Sequence, residues 1–352
     1  MPISLAPISS PLRLRLDGAA LIDNWRTLAA MSGPAACGAA VKADGYGLGA
    51  TAVAARLAAA GARDFFVATW GEAQALAPLG LSVSVLHGVR DEDMAAARAG
   101  FARPVLNTAQ QVARWRAAGG GACDVMVDTG MNRLGVSVEE VRGGLIAGLA
   151  VETLMSHLAC ADEDSAMNER QRTAFAALAG VTGARRMSLA NSAGIALGPH
   201  YAFDLTRPGL ALYGGVPRAE FAGRIRQVAY PQAQVLQRRR VAPGETVGYN
   251  ATWTAPAPTE VAILNIGYAD GYFRGFSDRG VALAGCAPCP VIGRVSMDLL
   301  MIDVGAAAAL AEGDWVDLAF ALPEAATASG MSQYELMTSL GGRLERSFIE
   351  HD

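Results

Sequence analysis

Lysine is almost absent from this chain. Of 29 lysines and arginines in 352 residues, Lys42 is the sole lysine. Wherever a positive charge alone was needed, arginine stands. Arginine cannot replace lysine where an amine must lose its proton and attack a carbonyl, because the guanidinium stays protonated in proteins. Other absences narrow the reading. No run of about 18 apolar residues occurs, which argues against a membrane-spanning helix. Residues 1–10 lack a basic segment followed by an apolar core, so no secretory signal is expected. With no excess of positive charge (net −4, pI near 5.7), neither nucleic acid nor an anionic membrane is an expected partner. The five cysteines are odd in number and scattered, as in free thiols of a reducing compartment, and a cytoplasmic protein is expected. Cys286 and Cys289 form a CxxC, but no third cysteine or histidine lies nearby in sequence to complete a zinc site.

What surrounds Lys42 is informative. Ala36–Val41 is a short run of small apolar residues, suited to a strand buried on both faces. After Lys42 come Ala43, Asp44, Gly45, Tyr46, Gly47, Leu48 and Gly49, a glycine-rich loop. A single lysine at the end of a buried strand suggests Schiff-base chemistry. Farther along, apolar runs recur at residues 65–69, 83–86, 104–106, 125–127, 151–155, 187–189 and 203–205, alternating with amphipathic helical stretches. With residues 36–41 they predict parallel βαβ units closing a (β/α)8 TIM-type barrel. The residues that follow the runs are chemically distinctive: Lys42, Trp70, His87, Asn107, Asp128, His157, Asn191 with Ser192, and Arg207. Active sites of such barrels gather at these strand ends.

Beyond about residue 230 the pattern changes to strand-like runs at 233–241, 246–251, 261–266, 281–284, 299–304 and 315–320, with a short helix at 333–340. The expected domains are an N-terminal strand over 1–16 that packs with the C-terminal domain, the barrel over 17–230, and a mainly β domain over 231–352.

The motifs together resemble those of the alanine racemases. The stretch from Val41 to Gly47 resembles that family's cofactor-lysine motif. Asp128–Gly135, Ser156-His157, Ala190-Asn191-Ser192 and Arg207-Pro208-Gly209 follow in the family's order. In the second half come Val247-Gly248-Tyr249, Ile266–Gly271 and Gly293–Asp298. The resemblance covers nearly the whole chain. It implies pyridoxal 5'-phosphate bound to Lys42. Tyr46, Asn191, Ser192 and the Gly209-Leu210 backbone would hold the phosphate end. Arg207 would face the pyridine nitrogen with His157 orienting it, and Arg133 would contact the phenolic oxygen. It further implies two bases for exchange of the Cα proton: Lys42 on one face, and Tyr249 of a partner subunit on the other. Tyr268, Met297 and Asp298 would help bind the amino acid. A homodimer with shared sites, and supply of D-alanine for peptidoglycan, complete what the resemblance implies.

Two further readings stay open: a family racemase that prefers serine or a broader set of amino acids, and a non-catalytic pyridoxal-phosphate carrier. Two departures from the family pattern carry expectations. Phe348 stands where many members place a phosphate-binding tyrosine. Met126 stands where some carry a carbamylated lysine that holds the arginine equivalent to Arg133. Arg133 is therefore expected to be balanced by a small anion such as chloride, by ordered water, or by the amide of Asn132 or Asn107. A direct pair with Asp128 is the alternative.

Overall fold

The computed structural model describes residues 9–349. The first eight residues, part of the stretch read above as lacking a secretory signal, lie outside that range, as do the last three. Two compact units result, one of residues 19–226 and one of residues 9–18 with 227–349.

In the first unit, parallel strands run in the order Ala39–Ala40, Asp64–Val67, Ser82–Val85, Arg103–Leu106, Cys123–Asp128, Val151–Met155 and Arg186–Ser188. The eighth, Leu205–Thr206, pairs in parallel with Ala36–Cys37, the first half of the strand that continues as Ala39–Ala40. Backbone bonds from Asp204 N–H to Met187 O and from Arg207 N–H to Ala190 O join it to its other neighbour, so the barrel closes. The fold is a (β/α)8 barrel followed by a mainly β domain. Past their first residues these strands are mostly apolar because both of their faces are covered.

The N-terminal ends of the strands also carry charge, but there it is spent internally. Arg186 holds Asp64 through two bonds of 2.7 and 3.0 Å. Asp124, fully buried, takes the Ser84 hydroxyl at 2.6 Å with Arg103 at 3.6 Å. Such internally paired charges read as structure, in contrast to the groups at the opposite end.

The second unit is built on a 13-residue strand, Ala229–Val241. Its first half pairs with Leu12–Asp17 and with Trp315–Leu318, and its second half pairs with Thr259–Leu264. The register shifts between Val235 and Gln237, leaving Leu236 exposed, and at this bulge the strand passes from one set of partners to the other. Leu12–Asp17 lies between Ala229–Val241 and the parallel strand Glu345–Ile349. Its alternating sequence puts Leu12, Leu14 and Leu16 in the core, while Arg13 lies over the Trp315 ring at 3.8 Å.

Several expected elements differ in the structure. Residues 203–205 were expected to form the last barrel strand, but Phe203 has φ +50° and packs edge-on against Phe175 of the helix Ala166–Ala176. Pairing instead uses Leu205–Thr206. The strand expected over 246–251 ends at Val247, because Gly248 at φ +81° turns the chain out, and Tyr249–Ala251 forms a tight turn in which Asn250 and Ala251 have φ of +62° and +49°. Ala287–Pro290, Glu345–Ile349 and the helix Leu322–Ser329 carried no clear apolar periodicity and were not foreseen. Phe348 sits in the second of these strands, in register with Leu16.

Because Leu14 is fully buried in a strand paired on both sides, Leu14→Ala is expected to cost about 2–5 kcal/mol. Urea unfolding measures this, and a midpoint equal to wild type would contradict the placement of the core.

Candidate active site

Lys42 follows directly on the first barrel strand, whose Val41 N–H is bonded to Phe66 O of the neighbouring strand. The chain then turns with the wrong hand for a helix: Ala43, Asp44, Gly45 and Tyr46 all have φ between +52° and +63°. For L-residues this conformation costs roughly 1–2 kcal/mol each, so surrounding bonds must enforce it. Gly45 N–H reaches Val41 O, Gly47 N–H reaches Ala43 O, and Asp44 Oδ1 takes the Ala50 N–H. The Ala43 N–H donates to Glu72 Oε1 at 2.6 Å.

Beyond the turn, the buried Tyr46 stacks on the buried Tyr213, with ring centroids 4.7 Å apart, and Tyr213 Oη donates to Ala40 O. A Cβ built on Gly209 would collide with the Tyr46 hydroxyl, so only glycine lets this aromatic wall approach the backbone. Asn191 caps the helix Ser192–Ala196 through the Gly194 N–H. The Ser192 hydroxyl accepts from Gly209 N–H and Ala211 N–H, at 2.9 and 3.2 Å. Between them the buried Leu210 N–H makes no hydrogen bond among the described residues. Tyr46, Ser192, Gly209 and Leu210 therefore come together, and an N–H, two hydroxyls and a glycine are donors suited to an anion such as a phosphate.

Arg207 is buried, and its guanidinium is aimed by Ser156 O at 2.6 Å and by the Ser188 hydroxyl. The family resemblance gave the orienting role to His157; the hydrogen bonds found for Arg207 among the described residues come from the Ser156 carbonyl and Ser188. Burial pushes the Arg207 pKa down to about 10, opposed by Asp124, and the group stays charged at neutral pH. His157 keeps a little exposed surface, yet burial of its ring is the largest cause of a pKa lowered to about 3, followed by Arg207, Arg133 and Lys42. Burial also lowers the pKa of Lys42. Arg133 adds to the shift and Glu72 opposes it. The lysine amine, a neutral imidazole and two guanidiniums thus share one electrostatic neighbourhood at the C-terminal end of the barrel.

Arg133 is exposed, and no hydrogen bond or carboxylate partner is found for it among the described residues. Asp128 does not pair with it: Asp128 Oδ1 takes the N–H groups of Gly130 and Asn132. The Asn107 amide is committed to Leu86 O and Val105 O, so it does not serve Arg133 either.

Within the second unit, Tyr249, Tyr268 and Met297 line a pocket of about 420 Å³ with Asn250, Arg274 and Arg294. Tyr249 is 65% exposed and Met297 53%, unusual for residues of their size. The Met297 carbonyl is taken by Ala269 N–H, whereas its own N–H makes no hydrogen bond among the described residues. Asp298 is not presented to this pocket's opening as a free carboxylate. It pairs with Arg343 at 2.7 Å, and Arg343 also grips the buried Asp270.

Three contributors escaped the sequence reading. Tyr213 backs Tyr46. The buried Gln171 clamps the loop around His157 by donating to His157 O and accepting from Ala159 N–H. Glu72 was legible only as a capping box with Thr69, a signal for a helix start rather than for a site.

The His157 shift gives a pH prediction with a definite sign. Its folded pKa lies below the ordinary 6.5, so below that pH the unfolded chain takes up a proton that the folded chain refuses. This contribution leaves stability untouched above about pH 6.5 and erodes it as pH falls toward 3. NMR titration should find the ring neutral at about pH 5, and His157→Gln should flatten the acid loss of stability. A ring that protonates near its ordinary pKa would contradict the placement.

The geometry agrees with what the chain is similar to. The profile of the alanine racemase N-terminal domain matches residues 16–217, and that of the C-terminal domain matches residues 228–348. An alanine racemase of Acidiphilium cryptum is 42% identical over 348 residues, spanning 95% of this chain and 97% of that protein. A biosynthetic alanine racemase of Agrobacterium fabrum is 38% identical over 371 residues, spanning 97% and 95%. The crystal structure of the Bartonella henselae alanine racemase, with covalently bound pyridoxal phosphate, superposes with a TM-score of 0.88 at 32% identity, covering 97% of this chain and 100% of that one. With both domain profiles matched over nearly the whole chain and full-length relatives about 42% identical, the chain belongs to the alanine racemase family, a family of isomerases.

Proposed function

We propose that this protein interconverts L- and D-alanine, using pyridoxal 5'-phosphate bound to Lys42 and two bases that exchange the Cα proton. The observation that carries the reading is the sole lysine of the chain, held at a barrel strand end with its pKa lowered by burial, in the same unit as the Tyr46 and Ser192 hydroxyls and the Gly209-Leu210 backbone. The residues fit the cofactor. Ser192, Tyr46 and the Leu210 N–H would hold its phosphate, Asn191 would fix the helix start beneath, and Arg207 would face its ring nitrogen. When bound, the cofactor draws electrons from the amino acid's Cα and makes its proton removable.

The chain's own groups do the rest. A lysine amine whose protonated form is disfavoured can accept a proton at Nζ near neutral pH. Arg207 donates hydrogen bonds but does not readily yield a proton, so facing the cofactor's ring nitrogen it would leave that nitrogen largely unprotonated and would favour return of a proton to Cα. Neutral His157 adds no charge of its own among the cations. Tyr249 is proposed as the second base, reaching the site of a partner subunit. Its exposure, and the Met297 N–H beside it with no hydrogen bond among the described residues, support a role completed by another chain. Tyr268 and the Met297 N–H would receive the substrate, Met297 taking the carboxylate, while Asp298 would act through Arg343. A small anion such as chloride is proposed to balance Arg133. Production of D-alanine for peptidoglycan, a homodimer and a cytoplasmic setting belong to the same reading. All five cysteines are free, and no described helix is long and apolar enough to cross a membrane.

Lys42→Ala should lose both cofactor attachment and all racemisation, and borohydride reduction of the wild type with its cofactor should label one lysine peptide. Residual turnover in the variant would refute the assignment. Tyr249→Phe should keep the cofactor but lower turnover by about 10²-fold or more. Mixing it with Lys42→Ala chains should restore part of the activity, since one hybrid site then holds both bases. Verified mixed dimers without rescue would show that Tyr249 does not act across subunits.

A further inference from the structure

We propose that Glu72 is a positioning residue for Lys42: its carboxylate ties the left-handed turn after the lysine to the end of the adjacent strand and places a fixed negative charge beside the amine. Glu72 lies in the helix Trp70–Leu76, next to no motif that the family resemblance drew on. Its two oxygens work on different segments. Oε1 accepts from Ala43 N–H at 2.6 Å, and Oε2 accepts from Ala68 N–H at 2.6 Å and from Thr69 N–H at 3.1 Å. The capping box with Thr69 returns a bond from Glu72 N–H to the Thr69 hydroxyl, which fixes the carboxylate's own backbone. Residues 43–46 hold a conformation that L-residues resist, and the Ala43 N–H lies at its first step, one peptide after Lys42. If that bond is released, the turn loses the side-chain anchor nearest the lysine.

The charges around the amine make Glu72's sign matter. Arg133, from the loop after Cys123–Asp128, opposes protonation of Lys42, and Glu72 favours it. His157, from the loop after Val151–Met155, is neutral, and Arg207 beyond it is positive. Asp44 in the turn itself is occupied with the Ala50 N–H. Glu72 is thus the carboxylate that offsets a cationic neighbourhood and opposes the lowering of the Lys42 pKa.

A chain with one lysine permits a direct test that needs no turnover. Full-length protein is grown with ε-carbon-labelled lysine and freed of any cofactor, and its single side-chain resonance is titrated in wild type, E72Q and E72D. E72Q removes the charge while its amide oxygen can still accept from Ala43. Its amide nitrogen cannot accept from Ala68 or Thr69. The Lys42 titration should move down by roughly half a pH unit or more. E72D keeps the charge but loses reach, so the titration should stay nearer wild type while hydrogen exchange at the Ala43 amide speeds up. In the wild type that amide should be protected, a result that no folding defect in a variant can obscure. Fast exchange at Ala43 in the wild type, or an unmoved Lys42 titration in folded E72Q, would overturn the proposal. Its consequence for catalysis rests on the racemase reading, and a racemase pH profile displaced in E72Q adds that link. If the titration moves in a protein that racemises nothing, Glu72's role stands and the function assigned to Lys42 falls.

Discussion

An amine that has to shed its proton at neutral pH is best placed where water is scarce and other cations are near. Lys42 meets both conditions because of where its strand stops. Burial disfavours the ammonium form, and Arg133 adds to that effect. The backbone then turns with a left-handed twist, and the bonds that enforce it fix the direction in which the amine departs. Much else in the first unit supports this one placement. Tyr213 ties back to Ala40, two residues before the lysine. Gln171 and the Ser156 carbonyl hold the loops that carry His157 and aim Arg207.

The use of arginine elsewhere follows the same logic. A second lysine in this neighbourhood could compete for a carbonyl, whereas guanidiniums can crowd the site without doing so. At the far end of the barrel the arginines are consumed by Asp64 and Asp124, so one end of the fold is neutralised and the other keeps unspent donors. The second unit shows a parallel division. Asp270 and Asp298 are gathered by Arg343, while Tyr249 and Met297 stay uncovered on the same surface.

How much of this was legible in sequence depends on the kind of signal. The barrel was visible because its strands are continuous apolar runs, each ending on a distinctive residue. Lys42, Ser192 and Arg207 stood out by position alone. Tyr249 could be placed in the chain but not in its conformation, since the strand pattern runs through Gly248 and only the backbone shows that it turns there. The bonds that hold Arg207 were not legible, because the Ser156 carbonyl is a backbone atom that every residue has and Ser188 belonged to no motif. Glu72 was hidden by its second role as a helix cap, and Glu345–Ile349 by its charged, edge-like composition, which only pairing with Leu12–Asp17 makes a strand.

The central claim is that two groups on opposite faces of the substrate exchange one Cα proton, with Lys42 as one of them. Incubation with L-alanine in deuterated water, followed by chiral separation and mass analysis, tests it most directly. The account predicts D-alanine that carries a solvent deuteron at Cα from the first turnovers, because the group that returns the proton is not the one that removed it. D-alanine that retains its original hydrogen would contradict the two-base account, and the absence of D-alanine would contradict racemisation itself.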